Sequence, residues 1–226
     1  MLELVWMEQY IYKMILKELH DKYKAGKGDF LIEAYERIFK DAIRYTSGNL
    51  LELGVWKGGS LRMWRDYFKQ FNILGLDRNP KWMIKGEERI QTLVANQIDI
   101  PDLFADKLTK FDIIIDDMSH VGSLTKQSFR HLFDNNLKPG GIYVIEDWQT
   151  GYRDKKIING EMFDYEGKAY DGTNHTAGMV GFIKELIDEL SLAQITDSRY
   201  GNGQPPQQST IREIRVFMGV VFIWKK

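Results

Sequence analysis

Four carboxylates and one histidine follow two neighbouring apolar segments of the chain. Asp116, Asp117 and His120 come after one run of hydrophobic residues, and Glu146 and Asp147 come directly after the next. A helix-length segment separates the two groups, so the pattern predicts two parallel strands joined by a crossover helix. Both acidic ends would then lie at one edge of the sheet, where open α/β sheets bind ligands. Carboxylates crowded in this way require a cation, so the residues predict a metal site with a base beside it.

The types of these side chains favour a hard metal ion. The chain contains no cysteine, so any metal must be bound by oxygen or imidazole. Mg²⁺ takes carboxylates and completes its octahedron with water or substrate oxygens. A bound ion would lower the pKa of a substrate hydroxyl, and His120 is placed to take the proton. Two histidines with one carboxylate would favour non-haem iron, whereas an acid-rich cluster with one histidine fits Mg²⁺ better.

A glycine-rich loop follows the first predicted strand. Gly54, Gly58 and Gly59 let the backbone approach a ligand closely, but their spacing is neither a dinucleotide fingerprint nor a P-loop. Glu52, at the mouth of this loop, would repel a pyrophosphate and suits a ligand with positive charge. S-adenosylmethionine is such a ligand, because it carries a sulfonium and an ammonium.

Polar residues also follow the next two predicted strands. Asp77 ends the second strand, where an acid can accept hydrogen bonds from ribose hydroxyls. Asn96 and Gln97 follow the third strand, and we expect them at the rim of an adenine pocket. The sequence therefore predicts a cofactor pocket at the same sheet edge as the metal site.

The elements that must position these residues alternate between strand and helix. Strands are predicted over 50–53, 72–76, 91–95, 111–116 and 141–146. Helices are predicted between most of them, over 59–69, 81–90 and 121–136. This alternation predicts a parallel α/β sheet, and a hairpin pattern over 211–224 adds an antiparallel pair. The fold class is therefore a mixed, doubly wound α/β fold.

Two helices, over 2–23 and 30–46, are predicted before the sheet. We expect residues 1–46 to form an N-terminal helical segment and residues 47–226 to form the ligand-binding domain. Apolar residues of the first helix could make a dimer contact or pack on the same chain, so a homo-oligomer is one of two arrangements that stay open.

Several further segments are predicted around the site. Residues 148–175 form a long polar stretch, which we expect to be a lid over the substrate. Its candidate walls are Trp148, Tyr152, Phe163 and Tyr165. A turn at 138–141, a helix over 176–190 and a surface loop over 201–208 are also predicted.

Four other polar residues are given minor roles. Ser119 is predicted to cap the helix that follows it, and His131 to be a surface or packing residue of that helix. His20, beside Asp21, is expected to be solvated. His175 precedes a helix and could contact a substrate.

The composition argues against several classes of protein. The formal net charge is −1 and no basic block occurs, which argues against a nucleic-acid or anionic-membrane partner. No apolar run approaches the length of a membrane span, and the first eight residues carry acids where a signal peptide needs basic residues. The absence of cysteine fits a reducing compartment, so we expect a cytoplasmic protein that acts on a small molecule.

Five stretches of the sequence resemble one enzyme family. They are Leu-Glu-Leu-Gly-Val at 51–55, Gly-Gly-Ser-Leu-Arg-Met-Trp at 58–64, Gly-Leu-Asp at 75–77, Asp-Asp-Met-Ser-His at 116–120 and Ile-Glu-Asp-Trp-Gln-Thr at 145–150. They resemble the class I S-adenosylmethionine- and Mg²⁺-dependent sugar O-methyltransferases of macrolide biosynthesis, relatives of which are often labelled cephalosporin hydroxylases. The resemblance covers roughly residues 20–226. It implies a Rossmann-like, mostly parallel seven-stranded sheet and methyl transfer to a hydroxyl of a sugar or glycosylated small molecule.

The resemblance also implies roles for individual residues. Asp117, Glu146 and Asp147 match the metal ligands, and His120 matches the general base. The residues expected to bind the cofactor are Glu52, Gly54, Ser60, Asp77, Asn96, Gln97 and Asp116. The implied cofactors are S-adenosylmethionine and Mg²⁺, and the implied partner is a glycoside acceptor.

The sequence departs from the family at several points. Met118 stands where the family usually has Gly, and we expect the bulkier side chain to reshape the acceptor pocket. Residues 95–99 stand where the family usually has Gly-Asp-Gln-Ser-Asp, which removes an acid near the adenine. The larger members carry an additional N-terminal domain that also builds the oligomer. Three alternatives stay open: a catechol-like acceptor, an iron-dependent hydroxylase, and a non-catalytic cofactor-binding module.

Overall fold

Seven strands form the central sheet of the computed structural model, which describes residues 15–39, 46–158, 161–196 and 208–226. The strands in chain order are β1 Ser47–Leu53, β2 Gln70–Asp77, β3 Ile90–Val94, β4 Phe111–Asp116, β5 Leu137–Glu146, β6 Lys155–Ile158, β7 Glu161–Asp164, β8 Ile211–Phe217 and β9 Val220–Lys225. The large sheet has the order β3-β2-β1-β4-β5-β9-β8, and β6 pairs with β7 in a separate hairpin. Strands β1 to β5 are parallel, and β9 is antiparallel to β5 and β8. The predicted mostly parallel sheet with an antiparallel end is confirmed.

Helices cover both faces of the sheet. The helices in chain order are α1 over 15–23, α2 Asp29–Phe39, α3 Gly59–Tyr67, α4 Ile100–Leu103, α5 Gly122–Asn135, α6 Gly178–Leu190 and α7 Leu192–Ile195. Within the described ranges, no helix is long and apolar enough to cross a membrane. The parts of the predicted N-terminal helices at 2–14 and 40–45 lie outside the described residues, as does most of the predicted loop over 201–208.

Alternation along the strands divides the core into two layers. On β4, Ile113 and Ile115 pack with α2 and α3 on one face, whereas Ile114 packs with α5 and α6 on the other. The first layer is rich in aromatic rings, and the Tyr35 ring lies 4.9 Å from Trp64 and 5.3 Å from Phe222. Aromatic pairs at these spacings add stabilisation beyond the burial of their area. Helix α2 is thus part of the sheet's own core, and the predicted division at residue 46 stays a prediction.

The register of the parallel strands aligns the residues of the predicted site. Leu53 of β1 pairs with Asp116 of β4, and Asp116 pairs with Ile145 of β5. Asp117 and Glu146 are the next residues along, so they lie side by side at the ends of β4 and β5. The predicted convergence of the two acidic groups at one sheet edge is confirmed by this register.

Two predicted elements are wrong. The helix predicted over 81–90 is a single 3₁₀ turn at Pro80–Trp82, followed by irregular chain. Gly86 and Arg89 adopt φ of 72° and 60°, which a right-handed helix does not allow. The turn predicted at 138–141 lies inside β5, opposite a register shift between Phe111 and Ile113. Gly140 takes a φ of 76° there, so the Pro-Gly-Gly sequence forms a strand irregularity instead of ending a loop.

Candidate functional site

A cavity of about 510 Å³ opens at the carboxyl ends of β1 to β4. Its lining includes residues predicted to bind the cofactor: Gly54, Ser60, Asp77, Asn96 and Gln97. Asp117 and Met118 also line it, so the cavity reaches the predicted metal site. Glu52 and Asp116 are buried next to the cavity, and their side chains bind protein groups instead of lining it.

Gly54 is required where the glycine-rich loop packs against the residues that follow β4. Its φ is 100°, and a Cβ at this position would lie 2.1 Å from the backbone oxygen of Asp117. Its backbone N–H donates to Leu76 O at 2.7 Å. A glycine here therefore lets the first loop of the sheet pack against the chain that carries the acidic motif.

The Asp77 carboxylate shapes the same loop. Its Oδ2 accepts hydrogen bonds from the backbone N–H groups of Val55 and Trp56, at 3.0 and 2.9 Å. Its Oδ1 accepts from Asn79 N at 2.8 Å. Asp77 thus both lines the cavity and fixes the backbone around it.

Gln97 connects the ends of β3 and β4. Its Nε2 donates to both carboxylate oxygens of Asp116 at 3.1 Å, and its Oε1 accepts from Ser119 N at 3.2 Å and from the Ser119 hydroxyl. Tyr143 OH donates to Asp116 Oδ2 at 3.2 Å. Asp116 thus lies in a buried polar network beneath the cavity, where burial raises its pKa to about 7 with a smaller contribution from the charge of Asp117.

Ser119 does not cap the following helix, contrary to the prediction. Helix α5 begins at Gly122, and Val121 occupies the N-cap position without a side-chain hydrogen bond. The Ser119 hydroxyl bonds Gln97 and accepts from Val121 N at 3.2 Å, so it stabilises the motif loop instead.

Three half-exposed side chains form an outer carboxylate–histidine cluster, Asp117, His120 and Asp147. Each contributes an atom that lies within 4.8 Å of the others. His120 Nε2 lies 3.9 Å from Asp117 Oδ1 and 3.7 Å from Asp147 Oδ2. His120 and Asp147 both have left-handed backbones, with φ of 57° and 53°. Non-glycine residues in this region are uncommon and concentrate at functional sites.

Three acids form a second, inner cluster, Glu52, Asp117 and Glu146, which shares Asp117 with the outer one. The buried Lys27 ammonium lies among them: Nζ is 2.6 Å from Glu146 Oε1 and 2.9 Å from Asp117 Oδ2. Glu52 Oε1 is 3.2 Å from Nζ, an ion pair outside hydrogen-bonding geometry, and Glu52 Oε2 accepts from Ser60 Oγ at 2.8 Å. A protein side chain therefore supplies one cation that the crowded acids require.

The electrostatics of the inner cluster favour a charged lysine. Burial lowers the pKa of Lys27, but Asp117, Glu146 and Glu52 together raise it well above its ordinary value. Burial, followed by the charge of Asp117, raises the pKa of Glu146. Tyr35 OH donates to Glu146 Oε1 at 2.5 Å, so two donors bind the same oxygen.

Sequence reasoning missed Lys27 and Tyr35. Lys27 lies 90 residues from Asp117 and 119 residues from Glu146, so no local spacing relates them. The available signals were the requirement of clustered acids for a cation and a lysine between two glycines, Gly26 and Gly28.

The donor set fits a hard divalent ion. Carboxylate oxygens and one imidazole are present without sulfur, as such an ion prefers. Lys27 binds Asp117 Oδ2 and Glu146 Oε1, whereas Asp117 Oδ1 and Asp147 Oδ2 face His120. The assignment of Asp117, Glu146 and Asp147 as ligands stays a prediction.

The segment predicted as a lid is partly ordered into the hairpin β6–β7. Met162 and Asp164 of this hairpin line the cavity beside Gly54 and Gln97. Two residues after β7, the Glu166 carboxylate accepts hydrogen bonds from the N–H and the hydroxyl of Ser123, at 2.7 and 2.6 Å. These bonds fix the chain that leaves the hairpin.

The predicted acceptor walls occupy different environments. Trp148 Nε1 donates to Phe217 O at 3.0 Å, and Tyr165 is buried. Tyr152 lines a second cavity, of about 660 Å³, together with His175. The side chain of Phe163 lies outside the described part of the structure.

The remaining histidines have structural contacts. His131 Nε2 lies 3.3 Å from Phe104 O, as expected of a packing residue. His20 is wrongly predicted as solvated: its side chain is 13% exposed and pairs with Asp21 at 2.9 Å. His175 is buried, with Nε2 2.7 Å from Gly151 O.

Comparison with known proteins adds a second line of evidence. No protein-family model matches the chain. The chain is 34% identical over 223 residues to the mycinamicin VI 2″-O-methyltransferase of Micromonospora griseorubida, covering 93% of this chain and 52% of that protein. It is 35% identical over 202 residues to the 8-demethyl-8-alpha-L-rhamnosyl tetracenomycin-C 2′-O-methyltransferase of Streptomyces olivaceus, covering 85% of this chain and 49% of that protein.

This chain is similar over most of its length to sugar O-methyltransferases. Its structure also matches the MycE methyltransferase from the mycinamycin biosynthetic pathway, solved in complex with Mg, SAH and mycinamycin VI. The TM-score is 0.74 at 33% identity, covering 93% of this chain and 53% of that one. The resemblance and the Rossmann-like methyltransferase fold predicted from the sequence are thereby confirmed. The chain spans about half the length of the curated sugar O-methyltransferases that it matches.

Proposed function

We propose that this chain transfers a methyl group from S-adenosylmethionine to a hydroxyl of a sugar on a small molecule, with Mg²⁺. The observation that carries the proposal is the double position of Asp117. It lines the cavity at the strand ends and also belongs to the outer carboxylate–histidine cluster. A cofactor in this cavity and a hydroxyl at the cluster would thus be neighbours, as methyl transfer requires.

The residues around the cavity are suited to an adenosyl ligand. Gly54 allows close approach of the backbone, and Asp77 offers carboxylate oxygens at the end of β2 for ribose hydroxyls. Asn96 and Gln97 form the rim after β3. S-adenosylmethionine supplies an activated methyl group with a neutral leaving group, so at the cofactor the protein has only to bind and orient.

The outer cluster is suited to activating a hydroxyl. Its carboxylates Asp117 and Asp147, together with Glu146 of the inner cluster, would hold Mg²⁺, which would supply an acid that lowers the pKa of a nearby hydroxyl. His120 Nε2 is the group that takes the proton. The carboxylates of Asp117 and Asp147 lie within 4 Å of that nitrogen, so the base stands beside the proposed metal ligands.

A methyl-transfer assay tests the proposal. The purified chain is incubated with radiolabelled S-adenosylmethionine and panels of rhamnosides, other glycosides and catechols, in Mg²⁺ or excess EDTA. We expect label on glycosides in Mg²⁺ and its loss in EDTA. Equal transfer in EDTA would overturn the role of the metal, and label on catechols alone would overturn the glycoside acceptor. Oxygen-dependent hydroxylation with Fe²⁺ and no transfer would overturn the proposed reaction.

A further inference from the structure

We propose that Lys27 is a positioning residue that orients the acids of the metal site from behind. The inference rests on the proposed function, because it concerns the ion that this function requires. The Lys27 side chain is 2% exposed and reaches Asp117 and Glu146 from the segment between α1 and α2. It is therefore part of the site although it comes from outside the strand ends that carry the acids.

The argument begins with which oxygens Lys27 binds. It donates to Oδ2 of Asp117 at 2.9 Å, while Oδ1 of the same carboxylate faces His120. It donates to Oε1 of Glu146 at 2.6 Å, the oxygen that Tyr35 also binds. Each carboxylate thus has one oxygen held from the protein interior. Such contacts fix the rotation of a ligating carboxylate and direct its other oxygen outward.

The charge of Lys27 has a second consequence. Glu52, Asp117 and Glu146 offer oxygens within 4.8 Å of one another, and Glu52 and Glu146 are almost fully buried. Three carboxylates so close would repel and rotate apart without a cation between them. The Lys27 ammonium lies 2.6 to 3.2 Å from all three carboxylates and keeps them together. It thereby links Glu52, which is buried next to the cofactor cavity, to the metal site.

Mn²⁺ binding to variants of Lys27, followed by paramagnetic resonance without cofactor or acceptor, tests this inference. In Lys27→Met, the carboxylates of Asp117 and Glu146 lose the contact that orients them. Mn²⁺ binding should therefore weaken by about 10- to 100-fold, the usual cost of losing an orienting contact. With a glycoside acceptor, kcat should fall as well. Lys22→Met is the matched control: Lys22 is exposed and pairs with Asp66, so Mn²⁺ binding should match the wild type.

Lys27→Gln covers the case in which Lys27→Met does not fold, since the amide retains a donor without the charge. It should also weaken Mn²⁺ binding, with a circular dichroism spectrum like that of the wild type. Unchanged or tighter Mn²⁺ binding in a folded variant would overturn the positioning role, and a loss of thermal stability alone would make Lys27 merely structural. If the wild-type chain bound no Mn²⁺, the proposed metal-dependent function itself would fail, and the inference with it.

Discussion

The acids at the sheet edge differ in their burial and in the side chain that each one faces. Glu52 and Glu146 are buried against Lys27, whereas Asp147 is half-exposed and faces His120. Asp117 belongs to both groups. Burial of carboxylates is tolerated only with a partner, so the inner group needs the lysine before any ion binds. The outer group retains the exposure that an exchangeable ion and a substrate hydroxyl require.

At the same scale, His120→Ala tests the general base. Loss of a positioned base typically costs at least about 100-fold in rate, so we expect kcat for methyl transfer to fall by that factor. Binding of S-adenosylmethionine, measured by calorimetry, should not change, because His120 does not line the cavity. His131→Ala is the matched control, since His131 lies on α5 and its ring contacts a backbone oxygen of Phe104. Full activity in His120→Ala would remove the histidine from the mechanism.

At the scale of elements, the loop after β1 and the motif after β4 depend on each other through Gly54. In Gly54→Ala, the new Cβ would meet Asp117 O at 2.1 Å with a φ of 100°. Overpacking and backbone strain together should lower the free energy of unfolding by about 3 kcal/mol, measured by urea denaturation. Gly140→Ala is the matched control: Gly140 also has a positive φ, but a Cβ there meets nothing within 4 Å. Its cost should be only the strain, about 1–2 kcal/mol. Equal costs at both positions would contradict the close approach of the two loops.

Elements with a clear periodicity of apolar residues were predictable from the sequence. Features that depend on contacts between residues distant in sequence were not. The alternating strands β1, β2, β4 and β5 and the acids at their ends follow from apolar patterning alone. The helix predicted over 81–90 failed because Pro80 starts a short 3₁₀ turn and two positive φ values follow. The role of Ser119 was missed because its partner, Gln97, lies across the sheet edge on another loop. Lys27 was missed for the same reason at a larger separation in sequence.

At the scale of the whole molecule, the strand order and the N-terminal helices together build the site. The parallel register brings four strand ends to one edge, which forms the cavity and exposes Asp117 within it. Helix α2 packs into the core on one face of the sheet and contributes Tyr35, while the segment before it contributes Lys27. Residues before the first strand therefore complete the acidic site, although the sheet alone carries the motifs from which it was predicted.

The most direct measurement of the central claim is calorimetric titration of the chain with S-adenosylmethionine, in Mg²⁺ and in excess EDTA. The account predicts binding to one site per chain in the cavity at the strand ends. Asp77→Asn should weaken that binding, because Asp77 lines the cavity and fixes the loop at Val55 and Trp56. Absence of binding in both conditions, from a chain with the expected circular dichroism spectrum, would contradict the account.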